Sequence, residues 1–206
     1  MTALIKTETD CITVLRNDAA KQSFHPLGTM RCIGAPLFRT ALARDLGCLL
    51  DVDPNVNSWS CLPLTLSEGD ILHIPDFIVE RTDRTVVADA HGGSDGEMPT
   101  LILDLCRQAG FEHEVWSESQ IRSGVRLANA QELLRYARWR TPLGDRVRLL
   151  AALDENGTMT IAECLPAFRE TPPIAGLASL ILHRFVEIDL DEARIGPETS
   201  VRRTRG

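Results

Sequence analysis

Residues 74–91 read IPDFIVERTDRTVVADAH. Apolar residues gather at Phe77–Val79 and Val86–Ala88, and Thr82, Asp83 and Arg84 between them are polar enough for a short loop. The stretch predicts a β-hairpin with strands over about 71–80 and 85–90. Asp76 follows a proline on the first strand, and Asp89 stands near the end of the second. Side chains alternate along a strand, so acids on adjacent hairpin strands converge on one face. His91 lies two residues beyond Asp89, on that same face.

Converging carboxylates suit magnesium-assisted cleavage of a phosphodiester. A hard cation polarises the phosphate and lowers the pKa of the attacking water, and magnesium prefers oxygen ligands in near-octahedral array. Asp76 and Asp89 are therefore the candidate metal ligands and, with His91, the candidate catalytic residues. Such a hairpin usually places a lysine two residues beyond the second acid, to orient the water and offset negative charge. His91 stands there instead. Its unperturbed pKa of about 6.5 leaves it mostly neutral at pH 7, fit for a base or a ligand but not for a permanent cation. Taken alone, P-D…D-x-H is equally the pattern of a structural turn with solvated acids.

Outward from the hairpin, residues 36–56 (PLFRTALARDLGCLLDVDPNV) predict a helix with Pro36 in its first turn and an apolar stripe of Leu42, Leu46, Leu49 and Leu50. Residues 56–67 are apolar and broken by Pro63, which predicts an edge strand that either a second copy or a covering loop would complete. Residues 91–99 form a glycine-rich loop, 98–110 a helix ending at Gly110, 111–118 a strand, and 128–140 a helix stopped by Pro142. Beyond Pro142 the pattern changes to helices over 143–157, 160–168 and 172–184, with Thr160 and Glu163 at capping-box spacing. Strands over 185–191 and 199–203 follow. Three helices and a hairpin are the order of a winged helix. Residues 1–35 are read as an N-terminal arm, 36–141 as one domain and 142–206 as a second.

The chain of 206 residues is 44% apolar, enough to bury a core. No apolar run is long enough to span a membrane, and the N-terminus lacks the apolar region of a secretory signal, which points to the cytoplasm. Six cysteines form no C-x-x-C pair and are expected as buried, reduced residues. A formal net charge of −7 argues against coating nucleic acid through bulk charge. Between Gln120 and Leu150, however, seven arginines face two acids. Arg122, Arg126, Arg135, Arg138 and Arg140 are the candidate nucleic-acid contacts, weighed against a solvated helix face.

More than the hairpin then fits one pattern. The segments TALARDLGCLLDVDPNV, WSCLPLTL, IPDFIVERTDRTVVADAH and RLANAQELLRYAR resemble, in order, the motifs of TnsA-type transposon endonucleases of the PD-(D/E)xK superfamily. The resemblance covers about residues 36–141. It implies an α/β fold of the restriction-endonuclease-like type, a mixed sheet flanked by helices, with a C-terminal winged-helix-like domain. The departures fall on the chemistry. The family's helix glutamate corresponds to Ala43, the glutamine before the strand proline to Leu62, and the lysine to His91. Asp76 matches outright and Asp89 is a shortened second acid.

The expectation is a non-catalytic DNA-binding protein on a degenerate nuclease scaffold, a regulatory or accessory factor needing no cofactor, with a protein partner or a second copy as further partners. The first alternative is an active magnesium nuclease in which Glu80, Asp70 or Glu97 replaces the lost ligand. The second is a protein adaptor without a DNA role, suggested by the apolar helix over 172–184.

Overall fold

Pro75 decides the local geometry of the quoted stretch. It has no N–H to give to a ladder, and the expected 71–80 strand is split there into Ile71–His73 and Phe77–Arg81. The computed structural model describes residues 8–92 and 99–204. Most of the glycine-rich loop, with Glu97, lies outside the described residues. The chain forms two compact units, one of residues 1–25 and 31–123 and the other of 26–30 and 124–206. Residues 26–30 thus belong with the C-terminal part rather than with an N-terminal arm, and the division falls at 123/124 rather than at 141.

Unit one begins with a helix that the sequence did not announce, α1 (Glu8–Ala20), followed by α2 (Ala41–Val52). Strands β1 (Val56–Cys61), β4 (Phe77–Arg81), β5 (Thr85–His91) and β6 (Glu112–Ser117) build a four-stranded sheet in the order β1-β4-β5-β6. The first three are antiparallel and β6 runs parallel to β5, so the sheet is mixed. A small ribbon pairs β2 (Leu66–Glu68) with β3 (Ile71–His73), and α3 (Thr100–Gln108) and α4 (Glu118–Arg122) complete the unit.

The two faces of the sheet carry different layers. Trp59, Phe77 and Phe38 pack together, with Trp59 and Phe77 edge to face at 5.4 Å between ring centroids. Helix α2 covers this face: a Cβ on its Gly47 would lie 3.0 Å from the Phe38 ring. Thr40 caps α2 by accepting the Ala43 N–H at 3.0 Å, so the helix starts at Ala41 and Pro36 lies ahead of it. The opposite face buries Val87 of β5 against Leu105 and Cys106 of α3 and Leu66 of β2. Beside β1, Ile33 donates to Trp59 O at 2.7 Å and Trp59 donates to Arg31 O at 3.0 Å. The segment around Cys32 therefore occupies part of that edge, as the covering-loop alternative expects.

Unit two contains α5 (Arg126–Leu134), α6 (Leu143–Asn156), β7 (Thr158–Thr160), α7 (Ile161–Cys164) with a 3-10 turn to Ala167, α8 (Pro173–Leu182), β8 (Val186–Ile188) and β9 (Ser200–Arg203). The capping box of Thr160 and Glu163 opens α7. The expected strand pair β8–β9 forms, and β7, to which the sequence reading gave no strand, joins it to give a three-stranded antiparallel sheet in the order β7-β9-β8. Leu149, Leu153, Cys164, Phe168, Leu177, Leu180, Val186 and Val201 form the core between sheet and helices. Among the described residues no helix is long and apolar enough to cross a membrane.

Candidate functional site

The β4–β5 register sets Phe77 opposite Ala88, which brings Asp76, the residue before β4, beside Asp89. The Asp76 N–H donates to Asp89 Oδ1 at 2.9 Å, and Asp76 Oδ2 accepts the Ala90 N–H at 3.0 Å. Both side chains are buried, at 6% and 3% exposure. The two acids that the hairpin reading paired do lie together.

A cation already lies between them, and it belongs to the protein. Arg39, one residue before the Thr40 cap of α2, donates from Nε to Asp76 Oδ1 at 2.8 Å and from Nη2 to Asp89 Oδ1 at 3.2 Å. Its guanidinium is fixed by position: the extended segment leading into α2 delivers it over the end of the hairpin.

Asp89 has a second set of partners. Its Oδ2 accepts from His73 Nε2 on β3 and from His113 Nε2 on β6, each at 2.8 Å. A carboxylate offers about four lone-pair sites, and Asp89 receives four donors: the Asp76 N–H, Arg39, His73 and His113. Burial alone would push its pKa up, but the hydrogen bonds from His113 and His73 outweigh that and hold the carboxyl well below its usual range. Asp76 moves the other way. Burial raises its pKa, opposed by the charge of Arg39 and reinforced by that of Asp89.

Among the described residues, the groups that would complete a magnesium cage are not in this cluster. Ala43 is buried and offers no ligand. Leu62 is fully buried, with its N–H given to Asp76 O at 2.9 Å. Glu80 accepts from Ser58 Oγ near the far end of β4, and Asp70 lies in the β2–β3 turn. His91 closes β5 opposite Ser117 and is half-buried, without a hydrogen bond to either aspartate. The imidazoles that reach Asp89 are instead His73 and His113. One sign of this was legible: in FEHEV, His113 shares its alternation with Phe111 and Val115, which marks it as inward-facing. Arg39 had no such signal, because it precedes a helix within a segment of no regular period.

The candidate arginines divide between the units and are mostly occupied. In unit one, Arg122 pairs with Asp45 at 2.9 Å and with Glu118. In unit two, Arg126 pairs with Asp191 at 2.7 Å and Arg135 with Glu132 at 2.9 Å. Arg140 turns back to the carbonyls of Ala137 and Trp139. Arg138 is exposed and has no carboxylate partner among the described residues. The local excess of positive charge is thus neutralised in part, at Arg122 and Arg126 by acids distant in sequence and at Arg135 by Glu132 three residues away. No protein-family model matches the chain, and no curated protein matches it.

Proposed function

We propose that this protein is a non-catalytic DNA-binding accessory or regulatory factor built on a nuclease-like scaffold of the TnsA type. The observation that carries the non-catalytic part is the Arg39 guanidinium between Asp76 and Asp89. It supplies the positive charge a metal would supply, but it cannot polarise a phosphate as a Lewis acid or generate a hydroxide. With Asp89 saturated and Ala43 in place of a third acid, a hydrated magnesium ion finds too few free oxygens.

Unit two supports the binding part. From α6 onward, its order of helix, strand, two helices (α7 and α8) and two strands, closed by the sheet β7-β9-β8, is consistent with a winged-helix arrangement. Helix α8, third of the three, buries most of its side chains and so presents little to a major groove. Contacts to DNA then fall on phosphates, with Arg138 and Arg140 the two candidate arginines that pair with no carboxylate among the described residues.

Two assays test this reading. Supercoiled DNA incubated with protein and magnesium or manganese stays intact, whereas nicking abolished by Asp76→Ala overturns the non-catalytic assignment. Fluorescence anisotropy with duplex DNA over a salt series shows weak, salt-dependent binding, and Arg138→Ala lowers the salt slope by about one. No binding at low salt removes DNA from the proposal.

An adaptor role is the second reading. It is favoured by a cavity of about 300 Å³ in unit two, lined by Leu133, Tyr136, Ile161, Leu165, Leu177 and Ile181. Its size and apolar lining suit an aliphatic side chain from a partner helix or loop.

A further inference from the structure

We propose that His73, Cys106 and His113 form a site for a zinc-class divalent cation, with Asp89 as its fourth ligand. The proposal goes beyond the DNA-binding reading, which needs no ion.

The three side chains come from three separate elements, β3, α3 and β6, and their ligand atoms all lie within 4.8 Å of one another. Both imidazoles aim the same nitrogen, Nε2, at a single point, the Oδ2 of Asp89, at 2.8 Å each. The His113 side chain is 3% exposed, and its Nδ1 has no hydrogen-bond partner. Only Nε2 of that ring is engaged, and it faces the cluster. Cys106 is fully buried, so its thiol is screened from bulk oxidants and from competing solvent.

The donor set selects the ion. Two imidazoles, a thiolate and a carboxylate suit zinc in tetrahedral array and are poor ligands for magnesium. Zinc bond lengths place tetrahedral ligand atoms about 3.4–3.6 Å apart. The present spacing therefore needs to contract by roughly 1 Å at its widest, which side-chain rotation supplies. Loading moves the ring proton of each histidine to Nδ1 and releases the Cys106 thiol proton to solvent. The site also leaves the other cation in place. Arg39 contacts Oδ1 of Asp89, while the histidines face Oδ2, so the carboxylate serves a guanidinium on one side and the ion on the other. Bound there, the ion would tie β3, β5, β6 and α3 together.

Cobalt titration of the full chain, stripped by chelation under reducing conditions, tests the site. The expected result is saturation at one equivalent, intense visible bands of a tetrahedral centre and a near-ultraviolet thiolate-to-cobalt band, all reversed by zinc. Cys106→Ser abolishes the thiolate band, and His73→Asn and His113→Asn each weaken binding at least tenfold, with folding followed by circular dichroism. Should these variants fail to fold, X-ray absorption at the zinc edge of the unaltered protein decides, with one sulfur and two imidazoles expected in the shell. Absence of cobalt binding, a thiolate band that survives Cys106→Ser, or a shell without sulfur overturns the proposal.

Discussion

Arg39 and Asp76 are joined at 2.8 Å, and the same guanidinium reaches Asp89 at 3.2 Å. Two carboxylates buried side by side repel each other, and the cation between them makes the arrangement tenable. Arg39→Ala leaves that repulsion uncompensated and is expected to cost about 2–4 kcal/mol, read as a lowered urea midpoint. It also frees oxygens for a hard cation. Millimolar magnesium or manganese is then expected to raise the melting temperature of Arg39→Ala by several degrees while leaving the unaltered protein unmoved. If magnesium stabilises both proteins equally, the guanidinium is not what occupies the cation position.

The parts of this architecture that follow local rules were readable. The hairpin, the helix α2 stripe, the end of α3 at Gly110 and the Thr160 capping box all depend on residues within a few positions of each other, where periodicity and cap chemistry act directly. The rest depends on residues far apart in the chain. Arg39 reaches Asp89 across 50 positions and Asn129 reaches the Leu190 carbonyl across 61, and no local pattern encodes either meeting. Short strands fail for a related reason: β7 is three residues long and exists because β9 offers its edge. Helix α1 was passed over because its apolar residues do not gather into a clear stripe. The arginine-rich stretch misled in the same way, since its acids Asp45 and Asp191 lie outside it.

Asp145 organises the corner of unit two. It is fully buried, and its oxygens accept the backbone N–H groups of Arg169, Glu170 and Thr171 at 2.8–3.2 Å, together with the Arg148 side chain. Burial pushes its pKa up, but the Arg169 N–H, Arg148 and the remaining donors prevail and bring it to about 2. Its folded pKa lies below the unfolded value of about 3.9. The stabilisation is therefore complete above about pH 4 and is lost as the pH falls toward 2. Asp145→Ala strands three donors and is expected to cost about 3 kcal/mol. Between pH 4 and pH 2 the variant should lose less stability than the unaltered protein, and parallel pH profiles would reject this account.

Gly28 closes onto helix α5 and the turn after it. A Cβ at that position would lie 2.7 Å from the Ala137 Cβ and 2.9 Å from the Leu134 carbonyl oxygen. Backbone atoms cannot swing aside, so Gly28→Ala is expected to destabilise unit two by about 1–3 kcal/mol. Adding Ala137→Gly removes one of the two clashes and should restore part of the loss. Equal melting temperatures for Gly28→Ala and the parent would mean that residues 26–30 do not pack there.

Arg81 sits at the end of β4 and spans the sheet. It donates to Glu114 of β6 from Nε at 3.0 Å and from Nη2 at 2.6 Å, and to Asp53 from Nη1 at 2.9 Å. Its side chain is only 9% exposed, so salt screens these pairs little. The planar fork is what matches Glu114 with two bonds at once. Arg81→Lys keeps the charge and loses that geometry, and is expected to cost about 1–2 kcal/mol. Arg81→Ala removes the guanidinium that bridges Asp53 and Glu114, leaving Glu114 the longer ionic contact to Arg84 at 3.7 Å, and should cost about 3–5 kcal/mol. In a double-mutant cycle with Glu114→Gln the coupling should exceed about 1 kcal/mol and persist in 1 M salt. Coupling that vanishes in salt would place this network with ordinary surface pairs, and the sheet would then owe its closure at β6 to backbone pairing alone.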